Sequence, residues 1–162
     1  MNTLKAEDLD NFLDKYDRNI LRVLQDNGRI SFTDLGREVG LTTTPCIERV
    51  RKLERAGFIQ GYSARLSAHH LDKGLVVFVQ INLDRTSKKT FEDFRRKIQN
   101  IPSVQECYLV TGSFDFLVKA RVKDMTAYRD LLEEELLSLP GVRASTSIAA
   151  METVKETLAI GV

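Results

Sequence analysis

Three glycines cut the first third of the chain into short segments, and this punctuation constrains the fold more than any other feature. They are Gly28, Gly40 and Gly57. The segment before each glycine carries apolar residues at helical spacing, and glycine suits the left-handed position just past a helix end. The segments are long enough for helices of about two to four turns. The sequence therefore predicts three short helices in succession.

Residues that can cap a helix precede the second and third segments. Ser31 can cap the second helix, with Asp34 as the acid of a capping box. The run Thr42–Pro45 offers caps for the third, where proline is tolerated in the first turn. The short segment Phe58–Tyr62 that follows is strand-like and is expected to be a wing. Together these features predict a winged helix-turn-helix, whose third helix enters the major groove of DNA.

The charge distribution agrees with contact to nucleic acid. The formal net charge of the chain is only +1, so any affinity for nucleic acid must come from a local patch. Residues 28 to 65 hold such a patch, because basic side chains outnumber acidic ones there. We expect double-stranded DNA as the partner, contacted by Thr43, Thr44, Glu48, Arg49, Arg51 and Lys52.

The second half of the chain alternates strand and helix patterns. Strands are predicted at 75–83, 104–110, 114–122 and 142–154, and helices at 88–99 and 125–139. The order βαββαβ is that of a ferredoxin-like domain, with both helices on one face of an antiparallel sheet. The other face is expected to be apolar and covered by a second copy in a homodimer. Its predicted members are Val77, Val79, Ile81, Leu109, Leu117 and Ile148.

These patterns divide the chain into two α+β modules. We predict a winged helix-turn-helix domain at 1–64, a linker at 65–74 and a ferredoxin-like domain at 75–162. No stretch approaches the roughly 20 apolar residues of a membrane span. The N-terminus is acidic and polar where a secretion signal would be basic and then apolar. A cytoplasmic protein is therefore expected.

Metal and enzyme chemistry have little support. Cys46 and Cys107 are set among apolar residues and are expected to be buried, and His69 and His70 do not form a spaced ligand pair with them. We predict no metal and no cofactor. Some enzymes are built on ferredoxin-like dimers, but no nucleophile is paired with a histidine here, and Asp115 alone is weak support for acid-base catalysis. We therefore predict that the chain is not an enzyme.

Motifs in both halves resemble those of the Lrp/AsnC family of regulators, and in particular its leucine-responsive branch. In the first half the matching segments are Tyr16–Leu21, Thr44–Glu54 and Gly57–Ile59. In the second half they are Leu71-Asp72, Gln105–Cys107, Met125–Arg129, Leu139–Val142 and Met151-Glu152. The resemblance thus spans nearly the whole chain.

The resemblance implies a bacterial, nucleoid-associated transcription factor whose C-terminal domain is a RAM domain of the dimeric α+β barrel type. It implies assembly from dimers, often into an octamer, and an amino acid effector such as leucine bound between dimers. The loop Thr111–Asp115 would hold the effector, with Asp115 on its ammonium group and amides near Gly112 on its carboxylate. The implied effector residues are Leu109, Gly112, Ser113, Asp115, Met125, Ile148, Ala149 and Ala150.

This sequence departs from the family at two places. Ile148–Ala150 is less bulky than usual for the final strand, and Ser113 replaces a common acidic residue. Both changes affect the expected effector preference. Two uses of DNA binding remain open: a sequence-specific regulator, which is an activator or a repressor, and an architectural protein that wraps the nucleoid DNA.

Overall fold

The computed structural model describes residues 12–84 and 87–162. The predicted start of the first domain and the polar N-terminus lie outside these residues. The chain forms two compact units. One contains the residues up to Arg65 together with Lys155–Val162, and the other contains Leu66–Val154.

The three predicted helices are present in the described part of the first unit. They are α1 (Lys15–Asp26), α2 (Phe32–Val39) and α3 (Thr43–Arg55). Ser31 caps α2 by accepting the Asp34 amide, and Gly40 ends it in the left-handed conformation, at φ 75°. Gly57 is also left-handed, at φ 78°. Gly40 and Gly57 therefore mark helix ends as predicted, whereas α1 ends at Asp26 with Asn27 as its C-cap, and Gly28 is not left-handed.

The core of this unit lies where the three helices meet. Its fully buried residues, with no exposed surface, are Ile20, Leu35, Cys46, Val50 and Leu53. Gly36 lies at the closest approach, because a Cβ there would stand 2.8 Å from the carbonyl oxygen of Leu41. The turn between α2 and α3 is thus compatible only with a very small residue at position 36.

Two features of the first unit differ from the prediction. The wing expected at Phe58–Tyr62 pairs with no strand of the described chain, although Phe58 packs on the helical core as a helix cap should. Residues 155–162 were assigned to the second domain but belong to the first unit. There Gln25 exchanges two hydrogen bonds with the backbone of Ile160, and Arg22 donates to the carbonyl of Val162. Periodicity does not report such side-chain to backbone bonds.

The second unit is the predicted ferredoxin-like fold. In chain order it contains β1 (Leu75–Leu83), α4 (Lys88–Ile98), β2 (Val104–Leu109), β3 (Phe116–Val122), α5 (Met125–Asp130, extended by π-helical residues Leu131–Leu136) and β4 (Val142–Ala149). The sheet order is β2-β3-β1-β4, and every pairing is antiparallel. The strands β2, β3 and β4 are shorter than predicted.

The side chains of β1 that were predicted to lie on the face without helices lie on the face that packs against the helices. Val77, Val79 and Ile81 are fully buried in the core with Phe94 of α4 and therefore face the helices. Because side chains alternate along a strand, the face without helices carries their neighbours. Its larger apolar members are Val76, Phe78, Tyr108, Leu117 and Ile148. Leu117 and Ile148 therefore lie on the predicted face, whereas Leu109 lies on the face toward the helices. The near-continuous apolar run of β1 gave no indication of which alternate set faces inward.

Within the described residues, no helix is long and apolar enough to span a membrane. In the same part of the chain, no three His, Cys, Asp or Glu side chains come together as metal ligands would. Cys46 is fully buried, and Cys107 is half-buried in the other unit. Burial raises the pKa of the Cys107 thiol to about 11.

Candidate DNA-binding surface and effector-binding residues

The third helix has one face in the core and an opposite face in solvent. Cys46, Val50 and Leu53 form the buried stripe. The exposed stripe consists of Thr44, Glu48, Arg51 and Arg55, which follow one another at intervals of four, three and four residues. We call these four residues the outer stripe. Its hydroxyl, carboxylate and guanidinium groups are of the kinds that read base edges and contact phosphates.

Two of the predicted DNA contacts point elsewhere. The Arg49 guanidinium donates to Asp17 at 2.8 Å and to Asp14 at 2.7 Å, both at the start of α1. The Lys52 ammonium donates to Asp17 at 3.1 Å and to the carbonyl of Phe12 at 2.8 Å. Both cations therefore join α3 to α1 within the unit. Thr43 is half-buried, so Thr44, Glu48 and Arg51 are the exposed members of the predicted set.

Electrostatics within this junction favour the ionised forms. Desolvation by itself would raise the pKa of Asp14. The amides of Asp17 and Tyr16 and the Arg49 guanidinium outweigh this effect and lower the pKa. Desolvation by itself would lower the pKa of Arg49, but the hydrogen bonds and charges of Asp17 and Asp14 outweigh this effect and raise it. The Arg49 guanidinium also lies 5.4 Å from the centroid of the Tyr16 ring. The junction is thus an ion-pair network rather than a set of unsatisfied charges.

The basic patch is consequently smaller than the sequence suggests. Arg37 is paired with Asp34, and Arg49 and Lys52 are paired as described. Within residues 12–84 and 87–162, four arginines of the patch have side chains without a hydrogen-bond or ion-pair partner. They are Arg29, Arg51, Arg55 and Arg65. Two of these belong to the outer stripe.

Sequence reasoning missed the role of Asp17. This residue is 1% exposed and lies on the buried stripe of α1 with Ile20 and Leu21. The available signal was an acidic residue at a core position of an amphipathic helix, since buried carboxylates are almost always paired. The pattern showed that a cation was needed but not which one.

The predicted effector residues form two groups at opposite ends of the sheet. The first group surrounds the loop between β2 and β3 and contains Leu109, Gly112, Ser113 and Asp115. Gly112 is exposed at φ 130°, and a Cβ there would meet nothing within 4 Å. Asp115 is 6% exposed, and its Oδ2 accepts the amide of Leu83 at 2.9 Å. Its carboxylate therefore holds the loop to the end of β1.

The second group lies where β3 and β4 end. Met125 starts α5 and is 57% exposed, and Ala150 donates its amide to the carbonyl of Val76 at the start of β1. Ile148 and Ala149 precede it on β4. The seven residues of β3 separate the loop group from Met125 by on the order of 20 Å along the strands, whereas Ile148 is aligned through Phe78 with Lys119, about 10 Å along β3 from the partner of Leu109. Leu109 and Ile148 also lie on opposite edge strands, about 14 Å apart across the sheet. One copy of the chain does not bring the eight residues together.

Both units match known families. The AsnC-type helix-turn-helix domain matches residues 13–54, and the Lrp/AsnC ligand binding domain matches residues 76–160. Relatives include the leucine-responsive regulatory proteins of Salmonella typhimurium and Escherichia coli. Each is 55% identical over 144 residues, which are 89% of this chain and 88% of the relative.

Solved structures of similar fold agree. A transcriptional regulator of Neisseria meningitidis in complex with L-Met has a TM-score of 0.88 and 36% identity, over 92% of this chain and 96% of that one. An AsnC family transcriptional regulator from Agrobacterium tumefaciens has a TM-score of 0.89 and 32% identity, over 92% and 97%. These relatives are transcriptional regulators rather than enzymes. With a helix-turn-helix in one unit, a ligand-binding fold in the other and relatives that match across both, this chain belongs to the Lrp/AsnC family of DNA-binding transcriptional regulators.

Proposed function

We propose that this chain regulates transcription in response to a small apolar amino acid, with leucine and methionine as the first candidates. The observation that carries the proposal is the 55% identity to leucine-responsive regulatory proteins over both units. The L-Met complex of the Neisseria meningitidis regulator supports an amino acid of similar size and polarity. The action of the protein at bacterial nucleoid DNA, in the cytoplasm, is part of the same proposal.

The outer stripe of α3 is the proposed reading surface. A glutamate accepts a hydrogen bond from the amino group of cytosine, and an arginine donates two to guanine, both in the major groove. Glu48 and Arg51 lie on adjacent turns of this stripe and are suited to those bases. Thr44 at the N-terminal end and Arg55 at the C-terminal end are suited to bases or phosphates. Arg49 and Lys52 bind groups at the start of α1 instead.

A homodimer is the proposed unit of assembly. The sheet face without helices exposes 52% of Tyr108 and 47% of Ile148 and also carries Phe78 and Leu117. Exposed apolar side chains on one face of a sheet are unfavourable in water and are best covered by a second copy. Two-fold symmetry would present two α3 helices to half-sites about 34 to 36 Å apart, or a multiple of that spacing.

The effector site is proposed to need more than one copy. The loop group lies on the order of 20 Å along β3 from Met125, and Leu109 lies about 14 Å across the sheet from Ile148, so both distances exceed what one small amino acid spans. The loop group of one copy and the Met125 and Ile148–Ala150 group of another can together enclose a ligand. This arrangement supports assembly beyond the dimer, of which an octamer is one form. Small residues at 149 and 150 would alter side-chain preference by about 1 to 3 kcal/mol per methylene.

A ligand screen combined with DNA binding tests the proposal. The protein is heated with each proteinogenic amino acid at millimolar concentration, and the melting temperature is recorded. We expect a rise with leucine, methionine or a similar apolar amino acid and none with charged ones. The same amino acid should then change the affinity for a duplex enriched from a random library by the protein. A protein that no amino acid stabilises, and whose DNA affinity none changes, would contradict the proposed response.

Footprinting distinguishes regulation at defined operators from architectural wrapping. Isolated, pseudo-palindromic protection favours a regulator that reads separate sites. Protection that repeats at every helical turn over long duplexes of unrelated sequence would favour the architectural function. The mass of the assembly in solution, with and without the amino acid, tests the dimer and larger forms.

A further inference from the structure

A single buried carboxylate joins the reading helix to the first helix. Asp17 is 1% exposed, and its two oxygens accept from two cations of α3, Arg49 at 2.8 Å and Lys52 at 3.1 Å. The amide of Asp14 approaches the same carboxylate at 3.4 Å. Charge-assisted hydrogen bonds of this kind are shorter and stronger than neutral ones and fix direction as well as distance.

The placement of the two cations restrains how α3 is rotated. Arg49 and Lys52 are three residues apart and so lie on the same side of the helix, one turn from each other. Each has a further anchor on the same side. Arg49 binds Asp14 and lies over the Tyr16 ring, while Lys52 binds the Phe12 carbonyl and lies 4.2 Å from the centroid of the Phe12 ring. A rotation of α3 about its axis would break several of these contacts together.

The outer stripe depends on that rotation. Consecutive residues of a helix are about 100° apart around its axis, so Glu48 and Arg51 are oriented by the contacts of their neighbours Arg49 and Lys52. The same contacts hold two positive charges against Asp14 and Asp17, where they are not directed at DNA phosphates. Asp17 therefore affects both the direction of base recognition and the number of charges available to the DNA backbone.

We propose that Asp17 is a positioning residue for sequence recognition, which restrains the rotation of α3 and withholds Arg49 and Lys52 from non-specific phosphate contact. This inference rests on the proposed use of the outer stripe. Loss of the Asp17 charge removes one partner from each of the two cations, so that they reach DNA phosphates more readily, binding to arbitrary DNA becomes tighter and preference for the selected sequence becomes weaker. A defect that only destabilises the unit would weaken binding to both kinds of DNA.

The test compares the unaltered protein with D17N, which keeps the shape of the side chain and removes its charge. The probes are a duplex enriched from a random library by the unaltered protein and a shuffled duplex of the same length. We expect the ratio of the two affinities to fall about tenfold and the affinity for the shuffled duplex to rise. The slope of log affinity against log salt should steepen by about 0.9 for each released cation that binds a phosphate. An unchanged ratio, or equal losses on both duplexes at an unchanged slope, would overturn the inference.

R49Q and R51Q keep the test decisive if D17N does not fold. Arg49 is 28% exposed on the helix surface, where glutamine is well tolerated. R49Q should lower the affinity ratio with no decrease in the salt slope, because Arg49 is not a phosphate contact. A decrease of about 0.9 in that slope would overturn the inference. R51Q tests the outer stripe separately. If R51Q changes neither the ratio of the two affinities nor the salt slope, the proposed reading surface is wrong, independently of the result for Asp17.

Discussion

The Oδ2 atom of Asp115 accepts the backbone amide of Leu83 at 2.9 Å, and this bond ties the loop between β2 and β3 to the end of β1. The backbone of Asp115 adds to the same connection, because its amide donates to the carbonyl of Ile81 at 2.9 Å. The residue expected to bind the effector's ammonium group is therefore also a structural part of the loop. Substitutions there need a design that separates the two roles.

Replacement of Asp115 by asparagine and by alanine separates them. D115A leaves the buried Leu83 amide without its acceptor, and we expect a loss of about 1 to 3 kcal/mol in the free energy of unfolding. D115N keeps an oxygen for that amide and removes the charge, so its stability should stay closer to that of the unaltered protein. If the carboxylate also binds an ammonium group, D115N should lose the thermal shift caused by the effector. A full shift in D115N would remove Asp115 from the proposed effector site.

The turn between α2 and α3 provides a second prediction. Glycine to alanine normally stabilises a helix by up to about 1 kcal/mol. At Gly36 the added methyl group would lie 2.8 Å from the backbone oxygen of Leu41, so G36A should instead destabilise the first unit by about 1 to 3 kcal/mol. Urea unfolding followed by helical circular dichroism measures this. Gly74, where a Cβ meets nothing within 4 Å, is the control, and equal effects of G36A and G74A would contradict the prediction.

The lowered pKa of Asp14 predicts a dependence of stability on pH. A carboxyl group whose pKa is lower in the folded state stabilises the fold above its ordinary value near 3.8 and loses that contribution as the pH falls through the lowered value. D14N keeps an oxygen to cap α1 and loses the ion pair with Arg49. We expect D14N to be less stable at pH 7 by about 0.2 to 1 kcal/mol, as for a partly exposed pair. A difference that persists in strong acid would argue against the ion pair as its source.

Glu48 should determine one base of each half-site. Glutamate accepts from cytosine, whereas glutamine pairs with adenine through two hydrogen bonds. Selection from a random library with E48Q should therefore change one position per half-site from cytosine to adenine. E54Q is the matched control, since Glu54 lies off the outer stripe and accepts from the Tyr62 hydroxyl at 3.0 Å. An identical selected motif for E48Q and the unaltered protein would mean that Glu48 does not read a base.

Gln25 should hold the segment Lys155–Val162 on α1. Its amide group donates to the Ile160 carbonyl at 3.0 Å and accepts the Ile160 amide at 2.5 Å. In Q25A we expect the Ile160 amide to exchange with solvent about fivefold faster, which corresponds to about 1 kcal/mol for a lost hydrogen bond. Hydrogen exchange read by mass spectrometry measures it, with Q60A as an exposed control. Unchanged exchange in Q25A would show that other contacts hold the segment.

Local signals made most of the fold predictable. Ser31 and Gly40 marked the ends of α2, and the βαββαβ order was visible in alternating periodicity. The wing predicted at Phe58–Tyr62 needs a partner strand to pair with, and the described chain supplies none. For β1, seven of the nine residues are apolar, and this pattern was compatible with either face toward the helices. The structure decided that alternation through packing against Phe94 of α4 and Leu136 at the end of α5.

The sequence by itself determined the family, the βαββαβ order of the second unit and the position of α3 in the chain, because helix caps, glycine stops and hydrophobic periods are encoded by near neighbours in the chain. Only the tertiary structure decided which side chains of that helix face outward, and that the candidate effector residues lie at opposite ends of the sheet. The pairing of Asp17 with Arg49 and Lys52 joins residues 32 and 35 positions apart. The physical reason is that charge pairing and strand register depend on distances in space between remote segments, which local pattern and propensity do not fix.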